Sequence, residues 1–144
     1  MKLRPYRTDD LPRLYEIHRA ALGPYVEATW GWDEDSQASQ FQQRADRGTW
    51  HVIEEDGTVL GFMSFDEADD RSVLNTIELA PEHQRCGVGS KLIRDLLSRA
   101  RKRGVPVELR VLKCNPARAL YERLGFSAIG ETETHVLMRT RQAV

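Results

Sequence analysis

The segment at residues 84–90, QRCGVGS, follows an apolar run that ends at Ala80 and precedes an amphipathic stretch that begins at Lys91. Where a strand turns through glycines into a helix, successive backbone N–H groups point outward, and the helix dipole adds about half a positive charge. Gly87 and Gly89 let the backbone approach an anion, because glycine has no Cβ. The segment therefore predicts a binding site for a phosphorylated small molecule.

Two common phosphate-binding patterns do not fit this segment. A P-loop requires G-x-x-x-x-G-K-[ST], whereas Gln84 stands at the first glycine position and Ser90 precedes Lys91 in the wrong order. A dinucleotide-binding fingerprint requires G-x-G-x-x-G, and Leu92 occupies the position of its third glycine. Both nucleotide-binding patterns are therefore disfavoured.

A third pattern, [QR]-x-x-G-x-[GA], is matched in full by Gln84, Gly87 and Gly89. It resembles the pyrophosphate-binding loop of the GNAT superfamily of acetyl-CoA-dependent N-acetyltransferases. A second block at residues 115–126, NPARALYERLGF, resembles another segment of that family. The two blocks occur in the family's order, and the matching residues of the second block are Asn115, Tyr121, Gly125 and Phe126.

Composition sets further bounds on the protein. The chain has 144 residues, of which 40% are hydrophobic and 30% charged, and these values are typical of one globular domain. The formal net charge of −1 predicts no general affinity for nucleic acid or membranes. No apolar run approaches the roughly 20 residues that span a bilayer, so we expect a cytoplasmic protein. Scattered histidines and two cysteines without a Cys-x-x-Cys pattern predict no metal site.

Hydrophobic periodicity and turn residues predict seven strands and four helices. Helical spacing runs from Leu11 to Leu22, and Gly23-Pro24 is expected to stop this helix. Residues 25–32 then form an aromatic connector before a second helix, which Asp33 or Asp35 caps and which runs to about Arg47. Further helices are predicted at 87–103 and 117–124, and strands at 2–6, 50–55, 59–65, 72–80, 105–112, 126–129 and 135–139.

The predicted elements and the resemblance lead to one fold. The strands at 72–80 and 105–112, with the helix between them, form a β-α-β unit whose strands are parallel. The resemblance implies a single GNAT-like α/β domain over residues 1–144. Its mixed, mostly antiparallel sheet would have six or seven strands flanked by about four helices, with the two parallel central strands separating at their C-terminal ends. Edge strands near both termini are compatible with a homodimer.

The resemblance also implies how acetyl-CoA is bound. The backbone of Leu79 would hold the acetyl carbonyl, residues 85–90 would cradle the pyrophosphate, and Gln84 would brace the loop. Asn115 lies where the family contacts the pantetheine arm, although it could equally be a helix cap, and the arginines could be solvated surface cations. The implied cofactor-binding residues are Leu79, Gln84, Arg85, Cys86, Gly87, Val88, Gly89, Ser90, Asn115 and Arg118.

Acetyl transfer requires that the amine lose a proton and that the departing thiolate be stabilised or protonated. Tyr121 occupies the family's general-acid position, from which a phenol can donate a proton to the thiolate. Glu78 precedes Leu79 in a largely apolar run, and its carboxylate is a candidate base or a ligand for the ammonium group. An exposed or ion-paired strand carboxylate is the alternative interpretation of Glu78.

Aromatic and acidic residues crowd the chain between the first two predicted helices. In the family this link forms one wall of the acceptor site, and aromatic rings beside acids suit a cationic amine. The alternative is that the tryptophans belong to the core and the acids favour a helix N-terminus. The candidate substrate-binding residues are Tyr25, Trp30, Trp32 and Glu34.

The leading prediction is an enzyme that transfers the acetyl group of acetyl-CoA to a primary amine by direct attack in a ternary complex. The acceptor is a small-molecule or peptide amine. An inactive CoA-binding sensor or regulatory module is the first alternative, and another phosphate-binding protein is the second. The presence of both Tyr121 and Glu78 favours the enzyme.

Overall fold

The computed structural model describes residues 1–141, which form a seven-stranded mixed sheet in the order β1-β2-β3-β4-β5-β7-β6. The strands are β1 Lys2–Pro5, β2 Trp50–Glu55, β3 Thr58–Glu67, β4 Ser72–Leu79, β5 Val107–Leu112, β6 Phe126–Glu131 and β7 His135–Thr140. The helices are α1 Leu11–Trp30, α2 Glu34–Ala45, α3 Val88–Arg103 and α4 Ala117–Arg123. None of the helices in this part of the chain has the length and apolar character needed to cross a membrane.

The predicted β-α-β unit is present. β4 and β5 are parallel and pair from Ser72 opposite Val107 to Leu74 opposite Leu109, near the N-terminal end of each strand. The pairs β1–β2, β2–β3, β5–β7 and β6–β7 are antiparallel. The mixed, mostly antiparallel sheet with parallel central strands is therefore confirmed.

The chain forms two compact units, which divide β3 and β4 between them. The first unit comprises residues 1–64 and 76–84 and contains α1 and α2; the second comprises residues 65–75 and the chain from Arg85 onward. Alternating apolar residues of β2 and β3 and the buried faces of α1 and α2 supply the core of the first unit. This core consists of Leu14, Ile17, Phe41, Ala45, Trp50, Val52, Phe62 and Ala80.

The second unit contains α3, whose apolar residues recur at helical spacing and are buried. Gly87 caps the helix at its N-terminus with φ 85°, and Gly104 ends it with φ 71°. Both values lie in the left-handed region that glycine adopts without a Cβ penalty. The buried face of α3 comprises Leu92, Ile93, Leu96 and Ala100.

α1 is longer than predicted, because it continues through Pro24 to Trp30. The prediction that Gly23-Pro24 stops the helix was therefore wrong, and the aromatic connector shrinks to residues 31–33. A proline inside a helix costs about 3 kcal/mol. Burial of Val26 beyond the proline offsets part of this cost.

A partly buried charge cluster joins β1 to β2 in the first unit. The Arg4 guanidinium donates to Asp10 at 2.8 and 2.9 Å and to Glu54 at 2.7 Å. The hydrogen bond from Arg4 is the main reason why the pKa of Asp10 and that of Glu54 lie below their ordinary values of 3.8 and 4.5. A lowered folded-state pKa adds stability that is present above the ordinary pKa and is lost as the pH falls through the folded one.

We therefore expect Arg4→Met to flatten the acid limb of the stability curve. The melting temperature of the wild type should fall steeply below pH 4.5, where Glu54 and Asp10 take up protons. The variant should melt lower at pH 7 but lose less on acidification, because its carboxylates no longer have an ionic partner to lose. Thermal melts between neutral and acidic pH measure both effects. Arg13→Met is the matched control, since Arg13 pairs with Glu16 and Glu82 on the surface; parallel curves for the wild type and Arg4→Met would contradict the argument.

Candidate active site

Glu78 is a buried carboxylate near the C-terminal end of β4, with 2% of its surface exposed. Its Oε1 lies 2.6 Å from Nδ1 of His18, which α1 contributes. Its Oε2 accepts a hydrogen bond from the Thr76 hydroxyl at 2.6 Å, and Nη2 of Arg44 lies 4.0 Å away. The alternative of an exposed or ion-paired carboxylate thus resolves to a buried, ion-paired one, whose two closest partners are His18 and Thr76.

The neighbours of Glu78 keep it ionised despite its burial. Burial by itself would raise its pKa, but the hydrogen bond and charge of His18, the charge of Arg44 and the hydrogen bond from Thr76 hold the pKa below its usual range. A buried charge is tolerated only when it is paired and hydrogen-bonded. The carboxylate is therefore suited to hold a proton donor in place rather than to collect protons itself.

Aromatic rings surround the His18 imidazole. It stacks on Phe41 with 4.8 Å between ring centroids, and Trp32 and Tyr15 lie 6.0 and 6.4 Å away in tilted geometry. Arg44 lies 5.9 Å above the Phe41 ring. Apolar walls lower the local dielectric and strengthen the interaction between imidazole and carboxylate.

Glu34 and Trp32, two of the predicted substrate-binding residues, lie in one exposed cluster. Glu34 accepts hydrogen bonds from Trp32 Nε1 at 2.6 Å and from the Tyr15 hydroxyl at 3.0 Å, and Arg19 lies 3.2 Å away. The hydrogen bond from Trp32 is the main reason why the pKa of Glu34 lies below its usual value. Arg19 also lies 5.8 Å above the Trp32 ring. The charge of Glu34 is thus already balanced by Arg19.

The other two predicted substrate-binding residues lie on α1 and outside the Glu34 cluster. Tyr25 and Trp30 belong to the last turns of α1, and the Trp30 side chain is 59% exposed. The sequence analysis proposed no functional role for Tyr15, His18, Arg19 or Arg44. His18 and Arg19 stand three and four residues after Tyr15, which places both beside Tyr15 on a helix, and this spacing was the available signal.

The C-terminal end of β4 is held closely in place. Gln84 Nε2 donates to the backbone oxygen of Leu79 at 2.9 Å, so this side chain braces the strand end. The backbone N–H of Ala80 donates to Leu60 O at 2.9 Å. Gly61 of β3 lies so close that a Cβ there would come within 2.0 Å of Glu78 O.

The segment that is predicted to bind an anion lies at the start of α3, where no side chain caps the helix. Lys91 N donates to Gly87 O at 3.0 Å, so the intrahelical hydrogen bonds start there and the N–H groups of residues 88–90 have no intrahelical acceptor. Arg85, with φ 61°, and Gly87 both adopt the left-handed conformation, and the space where a Cβ of Gly87 would lie is open. Free N–H groups, a helix dipole and open space fit a pyrophosphate.

The second predicted block follows β5 and forms α4. Asn115 Oδ1 accepts from the backbone N–H of Ala117 at 2.9 Å, so Asn115 acts as a cap for this helix. Tyr121 is half-buried and packs edge-on against Phe126 at 5.9 Å. Arg118 is partly exposed and pairs with Glu122 at 3.1 Å. The arginine is thus a surface cation that an anion would have to draw away from Glu122.

Comparisons with known proteins agree with this arrangement. A model of the acetyltransferase (GNAT) family matches residues 11–126. The ribosomal protein bS18-alanine N-acetyltransferase of Haemophilus influenzae is 30% identical over 83% of this chain and 77% of its own length. The 5-NmdU N-acetyltransferase of Pseudomonas phage PaMx11 is 33% identical over 83% of this chain and 86% of its own.

Solved structures show the same fold. The ribosomal-protein-S18-alanine N-acetyltransferase of Escherichia coli aligns with a TM-score of 0.68 at 26% identity, covering 99% of this chain and 94% of the other. The PaiA N-acetyltransferase of Thermoplasma acidophilum, solved in complex with coenzyme A, aligns with a TM-score of 0.74 at 17% identity, covering 98% and 99%. The likeness to the second structure concerns the fold.

The chain therefore belongs to the GNAT acetyltransferase family. It is an N-acetyltransferase that uses acetyl-CoA as its acetyl donor and acts on an amine. The fold class and the reaction predicted from the sequence are confirmed. The roles of individual site residues stay predictions.

Proposed function

We propose that the protein acetylates a primary amine by direct attack on acetyl-CoA in a ternary complex, with a small molecule or a peptide as acceptor. The observation that carries this proposal is the ionised Glu78 carboxylate paired with His18 among aromatic rings. Perturbed, buried acid–base pairs of this kind cluster at catalytic sites. The named relatives acetylate a ribosomal protein or 5-NmdU, which supports an amine acceptor without specifying its size.

Acetyl-CoA supplies the acetyl group and a thiolate leaving group when it is bound. We propose that the backbone N–H groups of residues 85–90 bind its pyrophosphate, supported by the left-handed Gly87 and the uncapped start of α3. Leu79, whose carbonyl Gln84 occupies, is proposed to orient the acetyl group through its backbone. Asn115 is proposed to bind the pantetheine arm while capping α4, and Arg118 the phosphates.

Replacing Gly87 by valine is expected to weaken acetyl-CoA binding by about tenfold or more, because a β-branched residue disfavours a positive φ and its side chain fills the anion's space. Isothermal titration calorimetry with acetyl-CoA measures the change. Gly48→Val is the matched control, because Gly48 has φ 77° and equally open surroundings in the first unit. Equal affinities of the two variants would contradict the assignment of the loop.

Tyr121→Phe tests the proposed general acid. The ring and its edge-on contact with Phe126 are retained, so folding and acetyl-CoA affinity should not change. The turnover number should fall by about 10²–10⁴-fold, the range for loss of a positioned proton donor. Steady-state kinetics and a thermal melt separate the two effects, and an unchanged turnover number would remove Tyr121 from the mechanism.

The proposed function is tested by thiol release from acetyl-CoA with a panel of amines: a peptide that begins with alanine, a free amino acid, an aliphatic diamine and an aminomethyl nucleoside. At least one amine should release thiol, with acetylated product seen by mass spectrometry. Saturation kinetics should show intersecting lines when both substrates are varied, as a ternary complex requires. Tight acetyl-CoA binding without transfer to any amine would instead favour the sensor or regulatory module.

Three coarser features of the protein stay predictions. We propose one N-acetyltransferase domain over residues 1–144, a cytoplasmic location, and no nucleic-acid partner, given the net charge of −1. A homodimer would use an exposed edge of the sheet, which β1 and β6 provide.

Tyr25 and Trp30 are proposed to contact the acceptor from the end of α1, and Trp32 and Glu34 are proposed to contact it from the link to α2 and the start of α2.

A further inference from the structure

We propose that His18 is the group that accepts the amine proton, and that Glu78 is a positioning residue that fixes the tautomer and orientation of its ring. This inference rests on the proposed function and assigns one of its steps. It transfers the role of base from a strand carboxylate to a histidine of α1, 60 residues away in sequence.

The hydrogen bond to Glu78 determines the tautomer of His18. Glu78 is ionised, and a carboxylate can only accept hydrogen bonds, so the proton between Oε1 and Nδ1 belongs to Nδ1. Oε2 of Glu78 is already occupied by the Thr76 hydroxyl. In the neutral imidazole the lone pair must then lie on Nε2, which is the arrangement that carboxylate–histidine pairs impose in general-base catalysis.

A bound substrate has better access to His18 than to Glu78. The Glu78 side chain is 0% exposed and cannot meet a substrate, whereas the His18 side chain is 5% exposed. Within residues 1–141 the Tyr6 hydroxyl is the one buried side-chain polar atom without a hydrogen-bond partner, and His18 makes its hydrogen bond through Nδ1. Of the two side chains, His18 is thus the one that keeps some exposure, and we infer that its Nε2 is the atom that accepts a proton from a bound amine.

The charged groups around the His18 ring are largely paired with one another. Glu78 faces His18 from β4, and Arg44 lies beside Glu78 from α2, so one negative and one positive charge oppose each other there. On α1 itself Tyr15 stands beside the ring, and its hydroxyl is bound to Glu34, which Arg19 neutralises. These pairs leave the Glu78 carboxylate, at 2.6 Å, as the closest charge to the imidazole.

The chemistry balances with these groups. The acceptor enters as an ammonium ion and loses two protons, one to His18 Nε2 and one that ends on the thiol of CoA. The amine nitrogen forms a bond to the acetyl carbonyl carbon, and the carbon–sulfur bond breaks with its electron pair on sulfur. His18 then returns its proton to solvent, so one ammonium ion and one acetyl-CoA give one amide, one thiol and one proton.

The tautomer can be tested without any acceptor. In long-range ¹H–¹⁵N spectra of the full chain with labelled histidines, at a pH where imidazoles are neutral, the His18 signals should show a protonated Nδ1 and an unprotonated Nε2. Loss of these signals in His18→Asn assigns them. A protonated Nε2 would overturn the proposal.

Kinetics test the proton transfer itself. In His18→Asn the amide can still donate to Glu78 but offers no basic nitrogen, so the turnover number should fall about 10²–10⁴-fold with an unchanged melting temperature. Added imidazole should restore part of the activity of His18→Ala, and more basic imidazoles should restore more. His51→Ala, in β2, is the control that imidazole should not affect.

The outcomes separate this inference from the proposed function. If the wild type acetylates an amine and His18→Asn is fully active, the histidine serves only as a hydrogen-bond donor to Glu78. That result would overturn the proposal. If the wild type acetylates no amine of the panel, the proposed function fails, and the tautomer measurement still supports or overturns the assignment of His18.

Discussion

Gly61→Ala is expected to be among the most destabilising single substitutions in this protein. A Cβ at residue 61 would lie 2.0 Å from the backbone oxygen of Glu78 and 2.9 Å from Cα of Leu79. Both atoms belong to backbone, so no side-chain rotation can relieve the overlap, and the two strands must move apart. We expect a loss of at least about 3 kcal/mol, or a fall of roughly 10 °C in the melting temperature.

Gly130→Ala is the matched control for this prediction. Gly130 also lies in a strand, β6, but the nearest atom to a Cβ there is the flexible Leu137 side chain at 3.6 Å. This variant should melt close to the wild type. Equal melting temperatures of the two alanine variants would show that β3 and β4 can separate without a large cost in free energy. Any Gly61→Ala protein that folds should also have reduced activity, because the clash lies at Glu78.

Glu78→Gln is expected to reduce the turnover number by about 10²–10⁴-fold while the protein stays folded. Glutamine has nearly the same shape, and its amide oxygen can still accept the Nδ1 proton of His18, which lies 2.6 Å from the carboxylate. The negative charge that stabilises a protonated imidazole is lost, however. The proposed proton acceptor would therefore lack its charged partner even with the ring correctly oriented. Kinetics at several pH values together with a thermal melt measure both effects.

Glu108→Gln provides the comparison for that variant. Glu108 is also a strand glutamate held by ion pairs, with Arg71 at 3.1 Å and Arg139 at 3.5 Å, in the second unit. Losing a pair of this exposed type changes stability by about 1 kcal/mol or less and should leave turnover unchanged. If Glu78→Gln were as active as Glu108→Gln, the carboxylate would have only a structural role.

The cluster around Glu34, which is proposed to contact the acceptor, is more neutral than the sequence suggests. The acids and tryptophans near residues 30–35 predicted a surface for a cationic amine. In the structure Glu34 is held by Trp32, Tyr15 and Arg19, so its charge is already balanced. Acceptor preference should then depend on the shape of the aromatic surface around Trp32 more than on a free carboxylate. Amines of different size in the panel should therefore differ in activity.

The sequence by itself determined the features that depend on neighbouring residues. The glycine loop before α3 and the glycine at the end of that helix each follow from local turn and cap chemistry, which few residue types satisfy. From these features the sequence predicted a loop before α3 and the strands and helices around it. The family match over residues 11–126 then confirmed the fold.

Only the tertiary structure decided the features that depend on distant residues. His18 and Glu78 are 60 positions apart, and no local pattern predicts that α1 brings an imidazole to β4. The continuation of α1 through Pro24 likewise contradicts a local helix-stop signal, and tertiary packing beyond the proline, where Val26 is buried, contributes to it. The physical reason is the same in both cases: packing energy is shared among residues far apart in sequence, whereas turn and cap preferences are properties of a few adjacent ones.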